Sequence, residues 1–110
     1  MVEISSSIIR GYIDIMILYV LKDGDSYAYE IGKKINEITE QKYIIKETTL
    51  YSAFTRMENN HFATPYTKFS ESGKKRTYYS ITPAGLEWYK AKCEEWNLTK
   101  DIIDRFTKNA

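Results

Sequence analysis

Cysteine and histidine are almost missing from this sequence, which holds only Cys93 and His61. An internal disulfide and a Cys/His zinc site are therefore excluded, and a histidine-based catalytic triad has little to draw on. No enzymatic activity, cofactor or metal is expected. No charge-free apolar run is long enough to span a bilayer: the longest candidate, Ile8 to Leu21, is interrupted by Arg10 and Asp14. The N-terminus also lacks the basic lead and small-residue cleavage site of a signal peptide, so a cytoplasmic location with no membrane partner is expected. Proline occurs only at Pro65 and Pro83. The 110 residues give room for one small domain and an appendage.

The net charge is only +1, but the charges are unevenly placed. Residues 1–41 carry four Lys/Arg against seven acids, residues 42–79 carry seven against three, and the rest balances at five and five. The positive potential belongs to the middle segment, as a polyanion partner requires, although a net of +4 there also suits an ordinary solvated surface.

Within that segment lies Glu47 to Asn60, ETTLYSAFTRMENN. Leu50, Ala53, Phe54 and Met57 form one apolar helical stripe. The opposite face presents Thr48, Thr49, Tyr51, Ser52, Thr55, Arg56 and Asn59. Hydroxyls and amides can reach base edges and phosphates in a major groove without charge repulsion. Alone, such a helix is more often a merely polar surface helix. Lys46 stands at its N-cap, where Ser, Thr, Asp or Asn would serve better.

The neighbouring segments supply the context. Ser5 to Lys22 has Gly11 as its one breaker and is predicted to form a continuous first helix capped by Ser5, Ser6 or Ser7, apolar around nearly its whole circumference. It must be covered on two sides. After Asp23-Gly24-Asp25, Ser26 is expected to cap a second helix reaching about Ile38, with Tyr27, Ile31, Ile35 and Ile38 inward. Lys42 to Lys46 reads as a short strand or extended link. Past Asn60-His61, Phe62 to Phe69 is a strand limited by Pro65 to an edge or an irregular start, Ser70 to Gly73 a turn, and Lys74 to Ile81 the return strand. Its alternation places Thr77, Tyr79 and Ile81 on one face, with Tyr79 in the core, and Arg76, Tyr78 and Ser80 on the other. Helices followed by a basic hairpin give the order of a winged helix-turn-helix, an α+β and mostly α fold.

Thr82-Pro83 is a strong helix start, and no Gly or Pro follows from Leu86 to Lys108, giving a helix of roughly 25 residues. Leu86, Tyr89, Cys93 and Trp96 form a coiled-coil-like seam, interrupted at Lys100 and resumed by Ile102, Ile103 and Phe106. A projecting apolar seam and a two-sided first helix both call for a second subunit. Residues 1–81 are thus expected to form the DNA-binding domain and 82–110 the dimerisation helix, with Ile8, Tyr12, Leu86, Cys93, Ile103 and Phe106 at a homodimer interface.

Arg10-Gly11-Tyr12, Tyr29-Glu30-Ile31, Thr49-Leu50-Tyr51, Arg56-Met57-Glu58 and Arg76 through Gly85 occur in order and at fitting spacing. Together they resemble the PadR family of transcriptional regulators, in its short-tailed branch. The resemblance implies a homodimeric repressor of a pseudo-palindromic operator that releases double-stranded DNA when a small molecule binds. By position, Thr49, Tyr51 and Ser52 carry operator contacts, with Thr55 added from the exposed face. Lys74, Lys75, Arg76 and Tyr78 hold the wing to the backbone. The chain is also similar to multidrug-binding members, in which a tryptophan midway along the last helix stacks planar aromatic compounds. Trp96 has that place, and Asp14, Ile15 and Tyr89 would line the same pore. Periodicity alone makes Trp96 a seam residue instead. Lys100 stands where drug-binding relatives can carry an acid, which favours a neutral or anionic ligand, or none, over a cationic one. Further departures are Ala28, Lys46 and His61. A winged-helix interaction or architectural module without ligand response, and a carrier of hydrophobic compounds, are the competing functions.

Overall fold

The computed structural model describes residues 2–108. Helix formation follows the apolar periodicity, with one interruption. The predicted first helix divides into a single turn α1 (Ser6–Ile9), a 3-10 turn (Arg10–Tyr12) and α2 (Ile13–Leu21). The break falls at Gly11, whose missing side chain leaves the backbone unbraced, and Tyr12 departs from helical geometry at φ −119°, ψ −1°. Ser5 precedes α1 without a side-chain cap.

Ser26–Tyr27 form a short strand, β1, and α3 spans Ala28–Ile38. Ser26 is therefore not the helix cap that its residue type suggests. Its hydroxyl donates to Glu30 from a buried position, and Tyr27 precedes the helix without a side-chain cap. Ile31 and Ile35 face the core, whereas Ile38 turns out to solvent. Residues 42–46 form no strand; Ile45 inserts into the core with Tyr43 packed against it, and Ile44 is exposed.

The recognition-type helix α4 (Glu47–Asn59) buries the predicted stripe of Leu50, Ala53, Phe54 and Met57. Asn60, His61 and Phe62 close it in a Schellman arrangement, with the Phe62 N–H donating to Met57 C=O (2.8 Å) and His61 N–H to Glu58 C=O (3.0 Å). His61 takes the left-handed residue of that motif at φ +60°. A hairpin follows, β2 (Ala63–Phe69) and β3 (Lys75–Ile81), and the sheet order is β1-β3-β2. Pro65 thus sits in an edge strand, where its missing N–H leaves no ladder bond unmade. Tyr79 of β3 points inward and stacks on Phe54, centroids 4.1 Å apart, which joins the wing to the core of α2, α3 and α4.

Finally α5 (Pro83–Thr107) begins with the Thr82 cap, whose hydroxyl accepts from the Gly85 N–H. Its first half packs on α2 through Trp88 and Tyr89; beyond Trp96, Leu98, Ile102, Ile103 and Phe106 are exposed. Twenty-five residues at the usual rise make a rod of about 38 Å, and the molecule is 56 Å in its longest dimension. Among the described residues, no helix is long and apolar enough to cross a membrane.

Candidate nucleic-acid interface

With its apolar stripe buried, α4 must turn Tyr51, Ser52 and Thr55 outward, and all are exposed, while Thr49 is half-buried. The Thr55 hydroxyl donates to Tyr51 C=O (3.1 Å), so toward an incoming base it can only accept, and it has no proton left for a phosphate. Arg56, which the helical wheel places on the same polar face, is occupied elsewhere. Its Nη2 donates to Asp14 Oδ1 at 2.7 Å and its Nε to Oδ2 at 3.3 Å, a bidentate ion pair with α2 that holds the guanidinium in its charged form.

The wing's basic tip is where the sequence places it, yet its side chains differ in freedom. Lys74 and Lys75 are exposed. Arg76 lies back over the Tyr27 ring, its guanidinium carbon 4.5 Å from the centroid. Tyr78 is the middle rung of a tyrosine ladder across the sheet, 5.1 Å from Tyr27 and 5.8 Å from Tyr66. Lys68 covers Tyr78 at 5.0 Å, and the Tyr66 hydroxyl donates to Asp25 at 2.6 Å. That hydrogen bond to a carboxylate raises the Tyr66 phenol above its ordinary value. The ladder clamps β2, β3 and the α2–β1 loop into one unit, so Tyr78 braces the wing rather than standing free beside it.

Between wing and helices runs a groove of about 560 Å³ lined by Tyr27, Tyr29, Tyr51, Lys74, Lys75 and Arg76 among others. Tyr51 of α4 and the wing cations therefore share one surface. Tyr29, at 73% exposure, stands at the rim, and sequence reasoning had not singled it out as a contact. Neither had it found Tyr27, Tyr66 or Lys68. Tyr27 and Tyr66 carried a signal in their register opposite Tyr78; Tyr29 carried none beyond its place at the start of a helix.

A separate apolar cavity of about 900 Å³ opens between the N-terminal segment and α5. Ile15, Trp96, Ile8, Tyr12 and Cys93 are in its lining, and the Tyr12 and Trp96 rings meet edge to face at 5.0 Å. Asp14 and Tyr89 are not in that lining, contrary to the expectation that grouped them with Trp96 and Ile15. Asp14 turns toward α4 because Arg56 draws it there. Tyr89 packs against the core, where burial and, next, the neighbouring Cys93 push its phenol up to about 12. Of the residues expected at a subunit interface, Ile8, Ile103 and Phe106 are exposed, and Tyr12, Leu86 and Cys93 are half-buried.

A profile of the family described as "Transcriptional regulator PadR-like family" matches residues 17–91. A solved transcriptional regulator from Clostridium thermocellum is 55% identical, with a TM-score of 0.87, over 94% of this chain and 98% of that one. A PadR family transcription regulator from hypervirulent Clostridium difficile R20291 is 36% identical, with a TM-score of 0.75, over 87% of this chain and 98% of its own. PadR of Bacillus subtilis, solved in complex with operator DNA, shares the fold at 20% identity and a TM-score of 0.67, over 74% of this chain and 46% of that one.

Proposed function

This chain belongs to the PadR-like family of DNA-binding transcriptional regulators, and from that premise we propose that it acts as a homodimeric repressor released by a small aromatic ligand. The observation that carries the DNA-contact assignment is the shared groove, in which Tyr51 of α4 lies beside Lys74, Lys75 and Arg76 of the wing. With α4 in a major groove, that surface runs along the phosphates. Lys74 and Lys75 supply affinity and salt dependence, while Thr49, Tyr51, Ser52 and Thr55 supply sequence preference. Tyr27, Arg76 and Tyr78 hold the wing at the angle this requires.

Dimerisation is supported by the apolar residues beyond Trp96 on α5. Leu98, Ile102, Ile103 and Phe106 are all exposed, as is Ile8 across the cavity. A second copy packed there would bury both and set two copies of α4 about 34 Å apart, one turn of DNA, on a pseudo-palindromic site. The cavity beside Trp96 is a fitting seat for a flat aromatic molecule, since its walls are mostly apolar, Glu3 is the one acid among them, and Asp14 is turned away.

Fluorescence anisotropy with duplex DNA from the chain's own upstream region, set against a scrambled duplex across a salt series, tests the reading. Preferred binding by a species that sediments as a dimer supports it. Equal affinity for both duplexes would instead favour an architectural module, and aromatic-ligand binding without any change in DNA affinity a carrier.

A further inference from the structure

We propose that the Asp14–Arg56 ion pair is the positioning link through which the contents of the apolar cavity set the orientation of α4, an inference that rests on that cavity being the ligand site. The two residues are 42 positions apart in sequence and join α2 to α4 through both carboxylate oxygens. A planar guanidinium held by two bonds fixes orientation as well as distance. Among the described residues, no other ion pair ties α4 to another element. The buried stripe of Leu50, Ala53, Phe54 and Met57 anchors α4 from below. Arg56 adds a lateral tie on the exposed side, one turn after Ser52 and next to Thr55, where rotation of the helix would move the base-contacting hydroxyls.

The other end of the link meets the cavity. Asp14 lies in the first turn of α2, directly after the 3-10 break. Two residues before it, Tyr12 presents its ring to Trp96; one residue after it, Ile15 lines the cavity. A flat molecule entering beside Trp96 must displace or wedge against the Tyr12 ring. The backbone there is already out of helical geometry and can turn without unwinding α2. Asp14 then carries the turn to Arg56. The side chains are 17% and 45% exposed, so the pair is shielded enough to hold yet open enough to reform.

The test measures affinity for upstream-region DNA with and without saturating 1-anilinonaphthalene-8-sulfonate, an anionic apolar probe, in wild type, Asp14→Asn, Arg56→Lys and Asp14→Glu. The probe's own affinity is read from its fluorescence in each. In wild type the probe is expected to weaken DNA binding by about fivefold or more. In Asp14→Asn and Arg56→Lys the ratio falls below about twofold with probe affinity unchanged, and Asp14→Glu, which keeps the carboxylate, restores it. A full ratio in both neutralised or reshaped variants overturns the link, as does a wild-type protein that binds the probe without any change in DNA affinity. Failure of the probe to bind wild type counts against the cavity as a ligand site. In that event Cys93→Trp fills the cavity from within, and the link is overturned if this substitution alters DNA affinity equally in wild-type and Asp14→Asn backgrounds, or in neither.

Discussion

Gly85, in the first turn of α5, lies against the carbonyl of Phe62 so closely that a Cβ on it would fall well inside the van der Waals contact distance to that oxygen. The same junction is sewn by Thr82, whose N–H donates to Phe62 C=O (3.0 Å) and whose hydroxyl donates to His61 C=O (2.7 Å). The end of α4 and the start of α5 thus meet backbone to backbone. Gly85→Ala is expected to cost about 1–3 kcal/mol, because neither backbone can give way. A thermal melt reads this as a fall of roughly 5 °C or more; an unchanged melt would mean that the two segments are not in contact.

His61 offers the opposite opportunity. Its backbone stands at φ +60° and its side chain is exposed, so glycine would lose nothing by replacing it. His61→Gly should stabilise the protein by about 0.5–1 kcal/mol through relief of the left-handed strain, partly offset by a freer unfolded chain. Chemical denaturation resolves the gain as a higher midpoint at constant slope.

Alkaline stability should track Tyr89. Burial raises its folded-state pKa to about 12 from the ordinary 10.0, so the folded protein prefers the neutral phenol. The resulting stability is complete below pH 10.0 and lost as pH climbs through about 12. Tyr43 and Tyr79 are raised by burial in the same direction. Melts across this window should decline less steeply in Tyr89→Phe than in wild type. An identical decline would place Tyr89 in solvent.

The wing cations are separable by what each touches. Lys74→Ala with Lys75→Ala should lower the slope of log affinity against log salt by about 2, affecting all DNA sequences alike. Arg76→Ala should do more than remove one charge, since it also uncovers Tyr27 and loosens the ladder on which the wing's angle depends. Hydrogen exchange in β3 would show the added loosening for Arg76→Ala and not for the lysine pair.

Tryptophan fluorescence can locate the aromatic ligand. Trp88 is stacked on Phe62 at 5.1 Å, away from the cavity, whereas Trp96 stands in its wall. Planar aromatic compounds should quench wild type and leave Trp96→Phe unquenched. Equal quenching in both would remove Trp96 from the site.

Much of the architecture was legible because it depends on local pattern. The stripe Leu50, Ala53, Phe54 and Met57, the inward Tyr79, the edge-strand Pro65 and the Thr82-Pro83 start each follow from spacing or from one residue's backbone chemistry, and all take the expected places. The errors arose where two signals competed. Ser26 is a good capping residue, but pairing with Tyr79 drew it into a strand. The first helix looked continuous because a single glycine, at a cost of about 1 kcal/mol, can be tolerated inside an apolar helical pattern, yet the helix is interrupted there. Glu40, Gln41 and His61 adopt left-handed backbone with no glycine to mark it.

The sequence by itself determined the order of elements, the basic tip and the projecting apolar helix, since period and charge need no knowledge of what lies opposite. Only the tertiary structure decided which polar side chains remain free. Thr55, Arg56 and Tyr78 share a helical or strand face with open neighbours, but each is committed: to its own helix, to Asp14 and to a tyrosine ladder. Asp14, which the sequence could place in a ligand pore, instead faces α4 for the same reason. A charge's partner is set by what folding brings within hydrogen-bond reach, and a separation of 42 positions along the chain carries no local sign of it.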